Sequence, residues 1–370
     1  MGTANTVTFD SNHYVPILKS KRGEHTAIDA LADQVRDELT PVFELPIVPT
    51  FKKEADDPED RETVDDIVAR QLDYFPDYWN NGRPAFLDAL YVEDERLQNG
   101  SHPLLATIQG LQQEGVTLFP VTGLNRDDDY QRAVLDVLGL GIDEVMIRLI
   151  ESDFERSNLQ GDLNQLLSRL GVPHEAAHLL LDLGPVRGVD PRNAIIISGY
   201  ISFVPNRDDW KTFSVSGAGY PEDVQITTGE QDMIPRPYWL AYRRMIEDDV
   251  ALSRTPTYSD FGIRSREPLD FNPKMMTVAP KITYTTGDKW YLAKEKTDKK
   301  WDRFQDICET LVQSPHFKGG SYSAGDRYIA DCAAGNASTG TPEFWVRAGS
   351  NHHLTMVVDQ LASLHGSSTP

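Results

Sequence analysis

Cysteine is almost absent from this 370-residue chain: only Cys308 and Cys332 occur. Two late cysteines without CxxC spacing supply neither a disulfide scaffold nor a thiolate metal framework, and two buried thiols in a reducing compartment are expected. Basic residues are scarce as well. Against 57 Asp and Glu stand 36 Lys and Arg, a formal net charge of −21. That balance leaves no broad basic footprint, so direct nucleic-acid binding is not expected, while a small basic site inside a cleft stays compatible with it. No apolar run approaches the ~20 residues that a membrane span needs, so no membrane partner is expected. The opening MGTANTVTFDSN has no basic region followed by an apolar core. A secretory signal is therefore not expected, and the cytoplasm is the expected compartment. A histidine-rich zinc spacing, a P-loop, HExxH and GxSxG are also missing, which argues against zinc hydrolases, P-loop NTPases and α/β-hydrolases.

What the chain does contain is one transition, repeated. The apolar run Tyr14-Val15-Pro16-Ile17-Leu18 ends in Lys19-Ser20-Lys21-Arg22-Gly23-Glu24-His25, and a helical pattern follows at once, with Ala27, Leu31 and Val35 on one face. Similar apolar runs predict strands near 14–18, 41–45, 84–89, 117–122, 145–150, 178–183, 212–216 and 257–261. Helical patterns separate them, near 63–72, 102–114, 130–138, 159–170 and 234–252. Residues 192–204 (RNAIIISGYISFV) are ambiguous, being β-branched where a helix is due. The acidic runs 54–60 and Asp127-Asp128-Asp129 read as solvated loops. Eight short apolar strands alternating with helices predict an α/β fold, a (β/α)8 TIM-type barrel. A doubly wound sheet fits less well, because no GxGxxG follows the first strand and the repeat count is eight.

The last hundred residues break the rhythm. Residues 277–294 read as a β-hairpin with Gly287-Asp288 near the turn, 301–311 as a helix, and 314–341 as glycine-rich loop. Asn351-His352-His353 then open a last helix, with Asn351 a natural N-cap. The expected division is 1–262 for the eight barrel strands, 263–350 for an insertion lying as a lid over the carboxyl face, and 351–370 for the final barrel helix and tail.

Charges inside the predicted strands are the informative feature: Lys19, Glu44, Asp88, Arg148, Asp182 and Asp260. Side chains alternate along a strand, so each alone could face the helix layer. A closed barrel interior is normally apolar, and an unpaired buried charge costs several kcal/mol, so six together point to a shared mouth at the carboxyl ends of the strands. Lys19, Glu44, Asp88, Asp182 and Asp260 are the catalytic candidates. Lys21, Arg22 and Arg148 are ligand-binding candidates, joined from the tail by Asp326, Arg347 and His352. Glu44, Asp88, Asp182 and Asp260 could hold Mg²⁺ for phosphoester or phosphodiester chemistry, with Lys19, Arg22 and Arg148 on the phosphate. Two of the acids could instead act on a glycosidic bond, and a desolvated Lys19 could form a Schiff base. His352 and His353 diverge by about 100° on a helix, so at most one faces such a site.

Four segments resemble a known family. YVPILKSKRGEHTAI at 14–28, PVFELP at 41–46, SAGDRYIADCA at 323–333 and WVRAGSNHHLT at 345–355 are similar to the "beta protein" family, named for a phage T4 protein and found in phages and bacterial genomes. The similarity runs over nearly the whole chain in motif order. It implies no reaction, cofactor or catalytic residue, and it implies a role in phage–host conflict. The expectation is a component of that conflict whose mouth binds, and as an enzyme would hydrolyse, a phosphorylated or nucleotide-like anion. Two alternatives stand beside it: a non-catalytic barrel serving as ligand sensor or as an assembly subunit for a partner protein, and a glycoside-type hydrolase using paired carboxylates.

Overall fold

Alternation along short strands builds the barrel. The computed structural model describes residues 7–49, 62–79, 82–221, 226, 229–248, 252–267, 281–295 and 303–366. Its barrel strands are β1 (Tyr14–Lys19), β2 (Val42–Glu44), β3 (Ala85–Asp88), β4 (Leu118–Thr122), β5 (Val145–Ile150), β6 (Ala177–Pro185) and β7 (Thr212–Ala218). β8 (Glu230–Pro235) lies outside the barrel, and β9 (Thr257–Asp260) closes it by pairing in parallel with both β7 and β1. All eight predicted barrel strands are present. Inward positions Val15, Ile17, Val42, Phe86, Val121, Met146, Leu180 and Phe261 form one apolar cluster. Their neighbours Tyr14, Leu18, Phe43, Leu87, Ile147, Leu181 and Tyr258 face the helices in another. Both faces are buried, and for that reason the strands read as nearly continuous apolar runs.

The surrounding helices are α1 (Arg22–Asp29), the short α2 (Asp33–Asp37), α3 (Val64–Tyr78), α4 (Pro103–Gln113), α5 (Asp128–Leu138), α6 (Leu159–Leu170), α7 (Arg192–Phe203) and α8 (Pro237–Glu247). Thr63 and Asp66 form a capping box on α3. The run Asp127–Asp129 is not a loop: the Asp127 side chain accepts from the Tyr130 N–H, and the other two acids occupy the first turn of α5, where the helix dipole favours them. The acidic run at 54–60 lies outside the described residues. The β-branched segment 192–204 is helical, because a parallel barrel needs a crossover there and packing outweighs local propensity. The helix expected over 234–252 begins only at Pro237, since Ile234 and Pro235 end β8. At the amino end of the barrel, Phe9 stacks on His178, which is held between Thr212 and Glu144.

The carboxyl-terminal part is a second layer fused to the first. β10 (Lys281–Thr285) and β11 (Lys289–Lys294) form the expected hairpin around Gly287-Asp288, with residues 277–280 of the prediction outside the described residues. β11 also pairs antiparallel with β8, so the sheet takes one strand from within 1–262 and the boundary at 262 cuts through it. α9 (Arg303–Gln313) matches the expected helix, although Trp301 lies outside the described residues. The glycine-rich stretch contains a helix, α10 (Ala324–Ala333), capped by the Ser323 side chain. α11 (Pro342–Leu364) begins nine residues before Asn351 and runs 23 residues. Asn351 is therefore no N-cap. Its amide accepts from the Gly325 N–H at 2.8 Å and donates to the Ala27 carbonyl at 2.9 Å, tying α10 to α1. The first half of α11 places Trp345 in the core of the carboxyl-terminal part, and the second half puts Leu354, Val357 and Leu361 in the barrel core. A boundary at 351 thus divides one continuous helix. Among the described residues, no helix is long and apolar enough to cross a membrane.

Candidate functional site

Five of the eight inward strand faces end on a charge. Val15 and Ile17 precede Lys19, Val42 precedes Glu44, Phe86 precedes Asp88, Met146 precedes Arg148 and Leu180 precedes Asp182, all at intervals of two. Register sets Lys19 beside Glu44 and Glu44 beside Asp88. The result is one network centred on Arg148. Its Nη1 donates to Glu44 Oε1 and to Asp88 Oδ2, both at 2.8 Å, and its Nη2 donates to Asp182 Oδ2 at 2.8 Å. Lys19 Nζ donates to Glu44 Oε2 at 2.5 Å and to the Arg266 carbonyl at 2.8 Å, 4.0 Å over the Tyr91 ring. Arg126 donates to both oxygens of Asp88 and to Glu93, and Arg266 donates to Asp182 at 3.0 Å.

Burial and charge act against each other here. Burial alone would push the acids up. Arg126 and Arg148 nevertheless hold Asp88 below the ordinary carboxylate range, and Arg148 and Arg266 do the same for Asp182. Burial lowers the Lys19 ammonium, with Glu44 opposing. The side chains of Glu44, Asp88 and Asp182 are fully covered, whereas Lys19 keeps 12% and Arg266 21% of its surface exposed. Lys19 and Arg266 reach solvent from the network, and so do the acids Glu93 and Glu267, paired to Arg126 and Arg266.

Five of the six strand charges meet in this network; Asp260 does not. Tyr258 and Asp260 share the outward face of β9, and Asp260 accepts from Tyr14 at 2.5 Å, Tyr258 at 2.9 Å and the Gly262 N–H at 2.9 Å, with His353 Nε2 at 3.3 Å. Burial works against the ionised form, and His353, Tyr14 and the other donors outweigh it, holding Asp260 down at about 2. The four acids expected to share Mg²⁺ therefore do not form a cation site: three are saturated by Arg148, Arg126, Arg266 and Lys19, and the fourth belongs to another cluster. Among the described residues, no group of three His, Cys, Asp or Glu could hold a metal ion.

The tail candidates fall elsewhere too. Asp326 and His352 are buried between β10, α10 and α11, where Asp326 accepts from Tyr284 at 2.7 Å and pairs with His352 Nδ1 at 2.7 Å. His352 and His353 do diverge, one meeting the Thr285 carbonyl and the other its hydroxyl. Arg347 is exposed on α11, and Arg22 turns away from the mouth toward Glu343 at 3.6 Å. Only Lys21 stands at the rim. Burial first, then Arg264 and Lys19, draws its ammonium below the ordinary lysine range.

A cleft of about 350 Å³, open solvent included, lies beside the network, lined by Lys19, Glu24, Arg264, Ser265, Ser350 and His353 among apolar side chains. Buried Glu24 faces Arg264 at 3.4 Å. A second cleft of about 230 Å³ adjoins it across Phe261, Gly262 and Arg264, and is lined by Arg236, Tyr220, Trp239 and Trp290. Asp260 lines the second cleft, whereas Glu44, Asp88, Asp182 and Arg148 line neither. Sequence reasoning missed Arg126, Arg264, Arg266, Tyr91 and Glu24. The available signal was position: each follows a barrel strand by a few residues, in the segment that leaves the carboxyl face, Glu24 in the first turn of α1.

A family model described as Beta protein matches residues 14–359. No curated protein matches the chain.

Proposed function

The chain belongs to the Beta protein family, and we propose that its barrel mouth binds a small phosphorylated or nucleotide-like anion, in the setting of phage–host conflict. The observation that carries this reading is the polarity of the mouth. In a chain of net charge −21, the carboxylates of Glu44, Asp88 and Asp182 are fully covered, Lys19 and Arg264 line the cleft beside Glu24, exposed Lys21 neighbours them, and Arg266 is partly exposed between Asp182 and Glu267. Burial, and then neighbouring cations, draw Lys19 and Lys21 below the ordinary lysine range, and a bound anion would favour their charged forms.

Binding without turnover is the reading favoured for the chemistry. Glu44 and Asp88 both accept from the same Arg148 nitrogen and are fully buried, so neither is poised as acid, base or nucleophile toward the cleft. The same fact removes the support for a glycosidase, whose two carboxyl groups must flank a bound sugar. A ligand sensor or assembly subunit fits the geometry better than a hydrolase does.

The test is thermal stabilisation by inorganic phosphate, pyrophosphate and nucleoside mono-, di- and triphosphates. A ligand at a hundred times its Kd stabilises a fold by about 2.7 kcal/mol. We expect an upward shift in Tm with at least one phosphate-bearing compound, lost in Arg264→Ala, whose side chain is half-exposed and outside the central network. No shift with any of them, or a shift unchanged in Arg264→Ala, ends the reading. Loss of phage protection or sensitivity in the same variant would tie the site to the proposed setting.

A further inference from the structure

Arg236 is a buried cation without a counter-ion. It stands just before α8, lines the second cleft and is 1% exposed. Its Nη1 donates to the Thr286 and Gly287 carbonyls and to Gln360 Oε1, all of them neutral. Its Nη2 is buried and has no acceptor. Among the described residues no carboxylate pairs with it: neighbouring Asp288 meets Arg243, and Asp260 meets His353. Arg126, Arg148 and Arg266, by contrast, all meet acids. A buried charge left unpaired is strongly destabilising, so this one calls for an anion. Two more donors share the cleft. Trp239 and Trp290 line it, and the Nε1–H of each is buried without a partner. Guanidinium and indole nitrogens only donate, so nothing but an acceptor satisfies the three. Water accepts too, yet it leaves the charge on Arg236 unbalanced.

We propose that the second cleft is the subsite for a phosphate group of the ligand, held by Arg236, Trp239 and Trp290. This rests on the anion-binding reading above and gives the phosphate a place within it. Position agrees. Gly219 and Tyr220 follow β7, the seventh barrel strand, and Gly262 and Arg264 follow β9, the eighth. Loops after the seventh and eighth strands are where barrels of this kind frequently bind phosphate. Gly219 keeps the space beside Trp290 clear, since a Cβ there would already touch that ring and Tyr238 at 3.4 Å. Arg264 lines both clefts and joins the subsite to the first. Asp260 is the acid in the cleft, and its oxygens are taken by Tyr14, Tyr258 and the Gly262 N–H.

Indole ¹H–¹⁵N spectra of the full chain, titrated with inorganic phosphate, pyrophosphate and a nucleoside triphosphate, test the assignment. The chain has 6 tryptophans, and Trp79→Phe, Trp239→Phe and Trp290→Phe identify three of the signals by their loss. The Trp239 and Trp290 signals should move downfield together as the phosphate compound saturates the protein. Trp79 is the control: its Nε1–H is also buried without a partner, but it belongs to the barrel core and does not line the cleft. Its signal should stay. Arg236→Lys, with folding verified by its circular dichroism melt, should bind about tenfold more weakly, the loss of one hydrogen bond to a charged group. Stabilisation of the wild type by phosphate compounds with both indole signals unmoved, as in a cleft holding only water, overturns the subsite and leaves the reading of the mouth intact. So does a folded Arg236→Lys with wild-type affinity. Neither stabilisation nor movement with any of the compounds ends both together.

Discussion

At Arg148 one guanidinium bridges three buried carboxylates from three strands, each of which has a second cation beside it. Removing one member of a buried ionic group leaves its partners uncompensated, at about 3–5 kcal/mol. Arg148→Met should therefore be the most damaging single change at the mouth, seen as a large fall in Tm. Lys19→Met should cost less, since Glu44 keeps its bond to Arg148. Asp128→Asn, on a side chain 80% exposed and paired only with Arg169, should stay within about ±0.5 kcal/mol. Equal melts for Arg148→Met and Asp128→Asn would refute the network's structural weight. His25 carries a separate prediction. Stacked on Phe43 and bonded to Ser20, it is pushed by burial down to about 3. A histidine with a depressed folded pKa contributes stability that is complete above the unfolded value near 6.5 and is lost as pH falls toward the folded one. Melting temperature should thus decline as pH is lowered from about 6.5 toward 3. Imidazole ¹⁵N shifts should show His25 still neutral at about pH 5, where an ordinary histidine is charged; titration near 6.5 would contradict the buried geometry.

Among the elements, α11 decides most. Gly325 of α10 lies so close to α11 that a Cβ would overlap the Ala348 carbonyl. Gly325→Ala should force the helices apart at about 1–3 kcal/mol, the usual penalty for overpacking, visible as a lower denaturation midpoint with the m-value unchanged. The hairpin β10–β11 is bound into the same unit. Its Tyr284, Tyr291 and Ile282 belong to the carboxyl-terminal core, and Thr285 holds both histidines of α11. It is therefore no detachable lid. Deleting 281–294 should yield insoluble or partly unfolded protein, and a soluble deletion melting like the wild type would show the hairpin to be dispensable.

Across the whole molecule, α11 lies in two cores at once, with Trp345 in one and Leu354, Val357 and Leu361 in the other. β8, which lies between β7 and β9 in sequence but pairs with β11 outside the barrel, adds a second link. Neither part can lose its packing without exposing an apolar face of the other, so calorimetry should record one cooperative transition. Two resolved transitions would mean that the carboxyl-terminal part is an independent domain.

The eight barrel strands, and the charges that end five of their inward faces, were legible in the sequence, because alternation and the apolar runs are local properties of a few neighbouring residues. The five-member grouping of Lys19, Glu44, Asp88, Arg148 and Asp182 is half legible on the same ground, each lying an even number of residues from an apolar partner on its strand. Closure decided the rest. Asp260 meets Tyr14 across 246 residues of chain only because β9 pairs with β1. His352 and His353 read as a helix start because Asn351 looks like a cap, yet contacts to Gly325 and Ala27 put all three in mid-helix. Local periodicity sets which face a side chain takes, whereas the charge that it meets there depends on strands and helices far apart in sequence.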